Sequence, residues 1–142
     1  MTTPPVARTD LPVTDRSTEE FWAAATGGRL LVKRCRTCGR AYFYPRPFCP
    51  RCWSEDVAWE EASGRGTVYT WSIVRRNDLP PFSERVPYVT AIVELDEGPR
   101  IMTNIVDTAP ADVRIGMAVE VTFQPLGEDL RYPVFRAVRP SP

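Results

Sequence analysis

The sequence contains no histidine, and its only four cysteines all lie in Cys-x-x-Cys pairs. Histidine is the most common general base in enzymes, so its absence excludes the Ser-His-Asp and Cys-His arrangements of nucleophilic catalysis. If all four cysteines bind one metal ion, none remains as a nucleophile. The sequence therefore predicts no catalytic residue, and we expect the chain not to be an enzyme on its own.

Two further absences concern charge and hydropathy. The 18 basic residues equal the 18 acidic residues, so the formal net charge is zero. Proteins that grip phosphate backbones usually carry a surplus of lysine and arginine. No apolar run approaches the roughly 20 residues of a membrane-spanning helix, and no signal peptide is recognisable. These features predict a soluble protein in the reducing cytoplasm.

The cysteine spacing is the most informative feature that is present. Cys35 and Cys38 form the first pair, Cys49 and Cys52 form the second, and ten residues separate the pairs. This spacing is typical of two knuckles that complete a closed four-thiolate site, which predicts one structural zinc ion. Two alternatives remain open at this point. Iron in place of zinc would make an electron carrier, and two disulfides would require an oxidising compartment.

The amino-terminal region predicts an arm and a helix. Residues 1–16 are rich in proline and lack periodicity, which predicts an extended arm. Ser17 and Glu20 match a capping box, which predicts a short helix over 17–28 that ends at paired glycines.

The rest of the chain predicts a mainly β protein. Short strands on either side of the first knuckle and after the second predict a zinc ribbon over 29–62. The Gly-rich turn at 63–66 marks the predicted boundary with an OB-fold barrel over 63–142. Five segments there alternate between apolar and polar residues: 68–74, 89–95, 101–105, 119–124 and 134–138. A helical turn over 110–115 is expected between the third and fourth. Alternation places Tyr69, Trp71 and Ile73 on the core face of the first.

The sequence resembles the DUF35 OB-fold family, a rubredoxin-like zinc ribbon joined to an OB-fold, from about residue 18 to residue 139. The segments that carry the resemblance are Phe21-Trp22, Gly28-Arg29-Leu30, Cys-x-x-Cys-Gly at 35–39, Pro-Arg-Pro at 45–47, Cys49-Pro50-x-Cys52, Gly-Thr-Val-Tyr-Thr-Trp at 66–71, Val86-Pro87-Tyr88, Glu-Leu-Asp-Glu-Gly at 94–98 and Gly116-Met117-x-Val119-x-Val121. The chain departs from the family pattern at Trp53, where the family usually has glycine.

The resemblance implies an accessory role. Members of the family are small partners of thiolase-like proteins, namely thiolases, hydroxymethylglutaryl-CoA synthase-type enzymes and sterol side-chain aldolases, and some are fused or bound to MaoC-like hydratases. The resemblance therefore implies a subunit of lipid metabolism, including steroid degradation, that helps to hold an acyl-CoA. It also implies a two-plus-two complex with a thiolase-fold subunit that supplies the catalytic groups.

Several residues are candidates for contacts with such partners. Arg75 and Arg76 precede the long loop 77–87, where they could meet the phosphates of an acyl-CoA. The candidate partner-interface residues are Phe21, Trp22, Phe82 and Tyr88. For the three phenylalanine and tryptophan rings, burial in the chain's own fold is the alternative.

A function of another class is also open. OB-folds often bind single-stranded nucleic acid on aromatic platforms in a basic groove. Tyr69, Trp71 and Tyr88 with Arg75 and Arg76 fit that description. The zero net charge and the predicted core position of Tyr69 and Trp71 favour the accessory subunit.

Overall fold

The computed structural model describes residues 11–138, so most of the predicted arm lies outside the described residues. The helix α1 spans Glu19–Thr26. The strands that follow it are β1 Leu31–Cys35, β2 Ala41–Tyr42, β3 Val57–Glu61, β4 Arg65–Val74, β5 Tyr88–Leu95, β6 Arg100–Ile105, β7 Ala118–Leu126 and β8 Leu130–Ala137. No helix among these residues is long and apolar enough to cross a membrane.

The predicted capping box does not form at the start of α1. Instead, Asp15 Oδ1 accepts hydrogen bonds from the backbone N–H groups of Ser17 (2.9 Å) and Thr18 (3.1 Å). The hydrogen bond from the Ser17 hydroxyl is the largest cause that lowers the pKa of Asp15. Residues 16–18 make a turn ahead of the helix, so a carboxylate one turn earlier satisfies the free N–H groups that Ser17 was expected to satisfy.

The ribbon is a three-stranded antiparallel sheet in the order β2-β1-β3. β1 pairs along its whole length with β3, from Leu31 opposite Glu61 to Cys35 opposite Val57. β2 contains only two residues. It ends at Tyr42, whose hydroxyl donates to the backbone oxygen of Arg46 (2.7 Å) and so closes a turn.

The five remaining strands form a closed barrel in the order β4-β5-β6-β8-β7. β6 and β8 are parallel, and the other neighbours are antiparallel. A 3₁₀ turn at Pro110–Asp112, shorter than the predicted 110–115, lies between β6 and β7. The predicted fold, a helix and zinc ribbon followed by a five-stranded OB-fold barrel, is confirmed.

One predicted face of the barrel is wrong. Tyr69 is 46% exposed, whereas its neighbour Val68 is buried. The pairing of β4 with β5 shifts between Val68 and Thr70, which is a β-bulge. A bulge inserts one extra residue and reverses the alternation beyond it. Consequently Trp71 and Ile73 still pack against the core, but Tyr69 points outward.

The ribbon and the barrel share one hydrophobic core. Val68, Val93 and Phe135 fill the barrel, while Phe21 from α1 and Val32 from β1 belong to the same buried cluster. Burial of apolar surface between the two parts therefore fixes their relative position.

Candidate metal centre and partner surfaces

The four cysteines converge at one end of the ribbon. Their Sγ atoms all lie within 4.8 Å of one another, with 3.5 Å between Cys35 and Cys52 and 3.7 Å between Cys38 and Cys49. A tetrahedral zinc ion with Zn–S bonds of about 2.3 Å would place its sulfurs about 3.8 Å apart. The spacing therefore fits four ligands around one ion. All four cysteines are free, so neither predicted pair is a disulfide in the structure.

Backbone N–H groups lower the pKa of two of the thiols, those of Cys35 and Cys49, and so favour their thiolate forms. The N–H of Cys38 donates to Cys35 Sγ (3.4 Å), and this bond is the largest cause that lowers the pKa of Cys35 to about 6. A backbone hydrogen bond from Cys52 is the main cause that lowers the pKa of Cys49. Both pairs thus turn N–H dipoles toward a position where negative charge is needed.

The fourth sulfur shows why the cluster needs a cation. The N–H of Ser54 lowers the pKa of Cys52, but the neighbouring sulfurs and burial outweigh this effect and raise that pKa to about 11. Thiolates packed this closely repel one another, which favours retention of a proton in the cluster when no cation is bound. A divalent ion bound by all four sulfurs would supply positive charge that favours the fourth thiolate, and a closed four-ligand site would leave no position for a substrate.

Little else holds this end of the ribbon together. The buried cluster here contains only Cys35, Cys49 and Tyr42, with Val57 packed against it. The half-buried ion pair Arg34–Glu60 and the exposed pair Arg36–Asp56 join the first knuckle to the strand and turn opposite. The hydroxyls of Thr37 and Ser54 also contact each other (2.7 Å). Contacts at the surface stabilise a fold only weakly, so the sulfur cluster is the main link between the two knuckles.

The candidate interface residues of α1 divide into one core residue and one surface residue. Phe21 is 1% exposed and contacts the rings of Phe43 and Tyr44, so the structure places it in the chain's own core, the alternative left open above. Trp22 is half-buried, and its Nε1 donates to the Tyr44 hydroxyl (3.0 Å) at the surface. Only Trp22 of this pair presents a surface that a partner can reach.

Phe82 and Tyr88 come together at one end of the barrel. Both line a cavity of about 150 Å³ together with Tyr132. Phe82 lies in a 3₁₀ turn, Phe82–Glu84, within the long loop. The Tyr88 hydroxyl accepts a hydrogen bond from Asn77 Nδ2 (3.1 Å), which ties the two ends of that loop together.

Arg75 and Arg76 are both exposed, just after β4. Arg76 forms an ion pair with Asp78, with 3.3 Å between Nε and Oδ1. The aromatic residues considered for nucleic acid do not form one platform, because Trp71 packs partly against the core while Arg100 covers the Tyr69 ring at 3.8 Å.

Two features of the structure were not predicted from the sequence: the conformation of Trp53 and a cleft. Trp53 is 72% exposed at a backbone φ of 65°, and its ring stacks on Phe48 with 5.5 Å between centroids. A cleft of about 610 Å³ also opens between the ribbon and the turn after β5, with arginines from both parts in its walls. The conformation of Trp53 had a signal in the sequence. Trp53 stands where the family usually has glycine, and glycine is the residue that ordinarily tolerates a positive φ. The cleft had none, because its residues are far apart along the chain.

Comparison with known families assigns both halves of the chain. Residues 22–58 match the family described as the ChsH2 rubredoxin-like zinc ribbon domain. Residues 59–124 match the ChsH2 C-terminal OB-fold domain.

Individual relatives are named as scaffolds or as enzyme subunits. A DUF35 domain-containing scaffold protein of Methanocaldococcus jannaschii is 46% identical over 104 residues, which cover 70% of this chain and 71% of that protein. A probable enoyl-CoA hydratase alpha subunit of Thermomonospora curvata is 38% identical over 96% of this chain, but the chain spans only 42% of that protein's length. The benzoylsuccinyl-CoA thiolase subunit BbsA of Geobacter metallireducens is 32% identical over 70% of this chain and 66% of its own length.

A solved structure agrees with this assignment. A chain of the Ltp2-ChsH2(DUF35) aldolase is 38% identical, superposes with a TM-score of 0.79, and corresponds to 89% of this chain and 98% of that chain. The two domain matches, the 46% identity to a DUF35 scaffold protein and this structural similarity lead to one conclusion: the chain belongs to the DUF35 family of zinc-ribbon and OB-fold proteins.

Proposed function

We propose that this chain is a non-catalytic accessory subunit of a thiolase-fold enzyme that acts on acyl-CoA substrates, of the thiolase or retro-aldol type. The observation that carries the proposal is the 38% identity, over nearly the whole of the matched chain, to a component of the Ltp2-ChsH2(DUF35) aldolase. The absence of histidine and the convergence of every cysteine in one cluster support it, because the partner would then have to supply nucleophile and base.

The metal centre is proposed to hold one structural zinc ion. Cys35, Cys38, Cys49 and Cys52 would be its ligands, and iron is the alternative ion. Bound zinc would supply the positive charge that keeps the four sulfurs ionised, and it would fix the two knuckles against each other. We place the division between ribbon and barrel at the turn 63–66.

The partner surface is proposed to include Trp22, Phe82 and Tyr88. Trp22 lies beside a shallow apolar depression that also includes Tyr44 and the exposed Met102. Aromatic side chains with one wet face are common interface anchors. A thiolase-fold partner is itself expected to be dimeric, so we propose a two-plus-two assembly. A hydratase of the MaoC type is the second candidate partner, supported by the hydratase subunit name of the T. curvata relative.

Affinity purification of the tagged chain from its source organism, followed by mass spectrometry and size-exclusion chromatography, tests the proposal. We expect a thiolase-fold subunit to co-elute in equimolar amount, and we expect acyl-CoA turnover in the complex but not in the purified chain. The non-catalytic role would be refuted if the purified chain alone turned over an acyl-CoA and lost this activity when one of its own residues was substituted. Recovery of the chain without an enzyme subunit would refute the partnership.

Nucleic-acid binding is the weaker candidate. None of the relatives described above is named for it, and the candidate aromatic rings do not share an exposed face.

A further inference from the structure

A cleft of about 610 Å³ lies between the ribbon and the barrel. Its ribbon wall carries Arg34, Arg40 and Arg51, and its barrel wall carries Glu94, Glu97 and Arg100 around the turn that follows β5. Four arginines and two glutamates therefore line the same cleft. Ligand pockets of proteins typically have volumes of about 300–1,000 Å³, so the cleft is large enough for a small molecule.

Two of the arginines are already held by the protein. Arg34 makes a bidentate contact with Glu60, with its Nη2 2.9 Å from Oε2, and its Nη1 donates to the Gly39 oxygen. Arg100 lies 3.8 Å from Glu94 Oε2 and over the ring of Tyr69. These contacts fix two guanidinium groups in position at opposite walls.

The other two arginines have free charge. Within residues 11–138, no carboxylate lies at ion-pair distance from Arg40 or Arg51. Both side chains are exposed on the ribbon wall of the cleft. Guanidinium groups bind phosphate oxygens through bidentate hydrogen bonds.

Glu97 also lines the cleft, and its Oε2 accepts a hydrogen bond from the Ser63 N–H (2.9 Å). Its Oε1 is buried without a hydrogen bond from any described residue, so a ligand in the cleft does not reach that oxygen.

We propose that this cleft binds the phosphate groups of a small molecule. Arg40, Arg51 and Arg100 would bind the phosphate oxygens. The identity of the ligand rests on the proposed function: an acyl-CoA carries several phosphates. The cleft then holds the nucleotide end of the substrate on this subunit.

This site is distinct from Arg75 and Arg76. β5 pairs with β4 so that Leu95 lies opposite Gly66 at one end and Tyr88 lies opposite Val74 at the other. Glu97 follows the first end, whereas Arg75 follows the second. A strand of this length spans about 24 Å at roughly 3.4 Å per residue, so one phosphate group cannot contact both sites.

Isothermal titration calorimetry on the zinc-loaded full chain tests the site with two probes, coenzyme A and inorganic pyrophosphate. We expect both probes to bind, more weakly as salt rises, because the phosphate contacts are screened by counterions. Arg40→Gln and Arg51→Gln should each weaken binding about tenfold, which corresponds to the loss of one charge-assisted hydrogen bond. The matched control Arg114→Gln removes an exposed arginine outside the cleft and should change the affinity less than twofold. Zinc content measured on each variant shows whether the ribbon is intact.

The other outcomes overturn the proposal in distinguishable ways. Failure of both probes to bind, or equal effects of Arg40→Gln and Arg114→Gln, would overturn the cleft as a phosphate site. Loss of binding in Arg75→Gln with Arg76→Gln, but not in the cleft variants, would move the site to the other end of the barrel. Binding of pyrophosphate without coenzyme A would overturn acyl-CoA as the ligand. Co-purification with the enzyme subunit is measured separately, so none of these results decides the proposed partnership.

Discussion

The adjacent residues Phe21 and Trp22 allow a direct test of which side of α1 belongs to the core. Phe21 is 1% exposed and has three aromatic neighbours at centroid distances of 5.0–5.6 Å. Truncation of a buried phenylalanine to alanine costs about 3–5 kcal/mol. We place Phe21→Ala near 4 kcal/mol, because each lost aromatic pair contributes about 0.5–1.5 kcal/mol beyond simple burial.

Trp22→Ala should cost much less. Trp22 is half-buried, and the Tyr44 hydroxyl that it contacts is open to water and is not left unsatisfied. The loss is then about 1–2 kcal/mol, from one hydrogen bond and part of a ring's burial. Since small domains have a total stability of about 5–15 kcal/mol, only Phe21→Ala is expected to bring the chain close to unfolding.

Urea denaturation of both zinc-loaded variants, followed by circular dichroism, measures these costs from the shift in midpoint at constant m-value. Trp22→Ala should also weaken the complex with the enzyme subunit while zinc stays bound. Equal destabilisation by the two variants, or a larger effect of Trp22→Ala, would refute the assignment of Phe21 to the core and Trp22 to the surface.

Three further predictions follow from the metal centre and the turn before the barrel. Cys49→Ser should release the metal and loosen the ribbon beyond β1 while the barrel persists, as measured by elemental analysis and by hydrogen exchange, and retained zinc would contradict the assignment of this ligand. The wild-type chain should lose its metal as the pH falls, because protons compete with the metal for the sulfurs and the hydrogen bonds that lower the pKa of Cys35 favour its thiolate. Release only above neutral pH would contradict this order. Gly66→Ala should destabilise the barrel by about 1–3 kcal/mol, because the new Cβ would press against the Glu94 backbone oxygen and lie 2.9 Å from Val93 Cγ1. Thermal unfolding measures this loss. In the control Gly27→Ala the nearest contact of the new Cβ is 3.4 Å, so the unfolding temperature should change little.

Much of the barrel was predictable from the sequence because alternation is a local property. β5 alternates without interruption, and the apolar positions of the predicted segment 89–95, namely Val89, Ala91, Val93 and Leu95, are all buried. The same rule gave the wrong face for Tyr69, since a bulge depends on how β4 meets its neighbour and leaves no mark in the period of β4 itself. The cap of α1 was misplaced for a related reason: Ser17 and Asp15 are both good capping residues, and the path of the chain into the helix decides between them.

The sequence by itself determined the zinc-ribbon cluster as a candidate metal site, because two Cys-x-x-Cys knuckles bring their sulfurs together through short-range chain geometry. The tertiary structure alone decided that Phe21 belongs to the core and Trp22 to the surface, because adjacent rings on a helix look equivalent until neighbouring segments pack on one of them. It also created the cleft. Arg40 and Arg51 come from the ribbon and Glu97 and Arg100 from the barrel, and only the shared hydrophobic core brings their charges to one place.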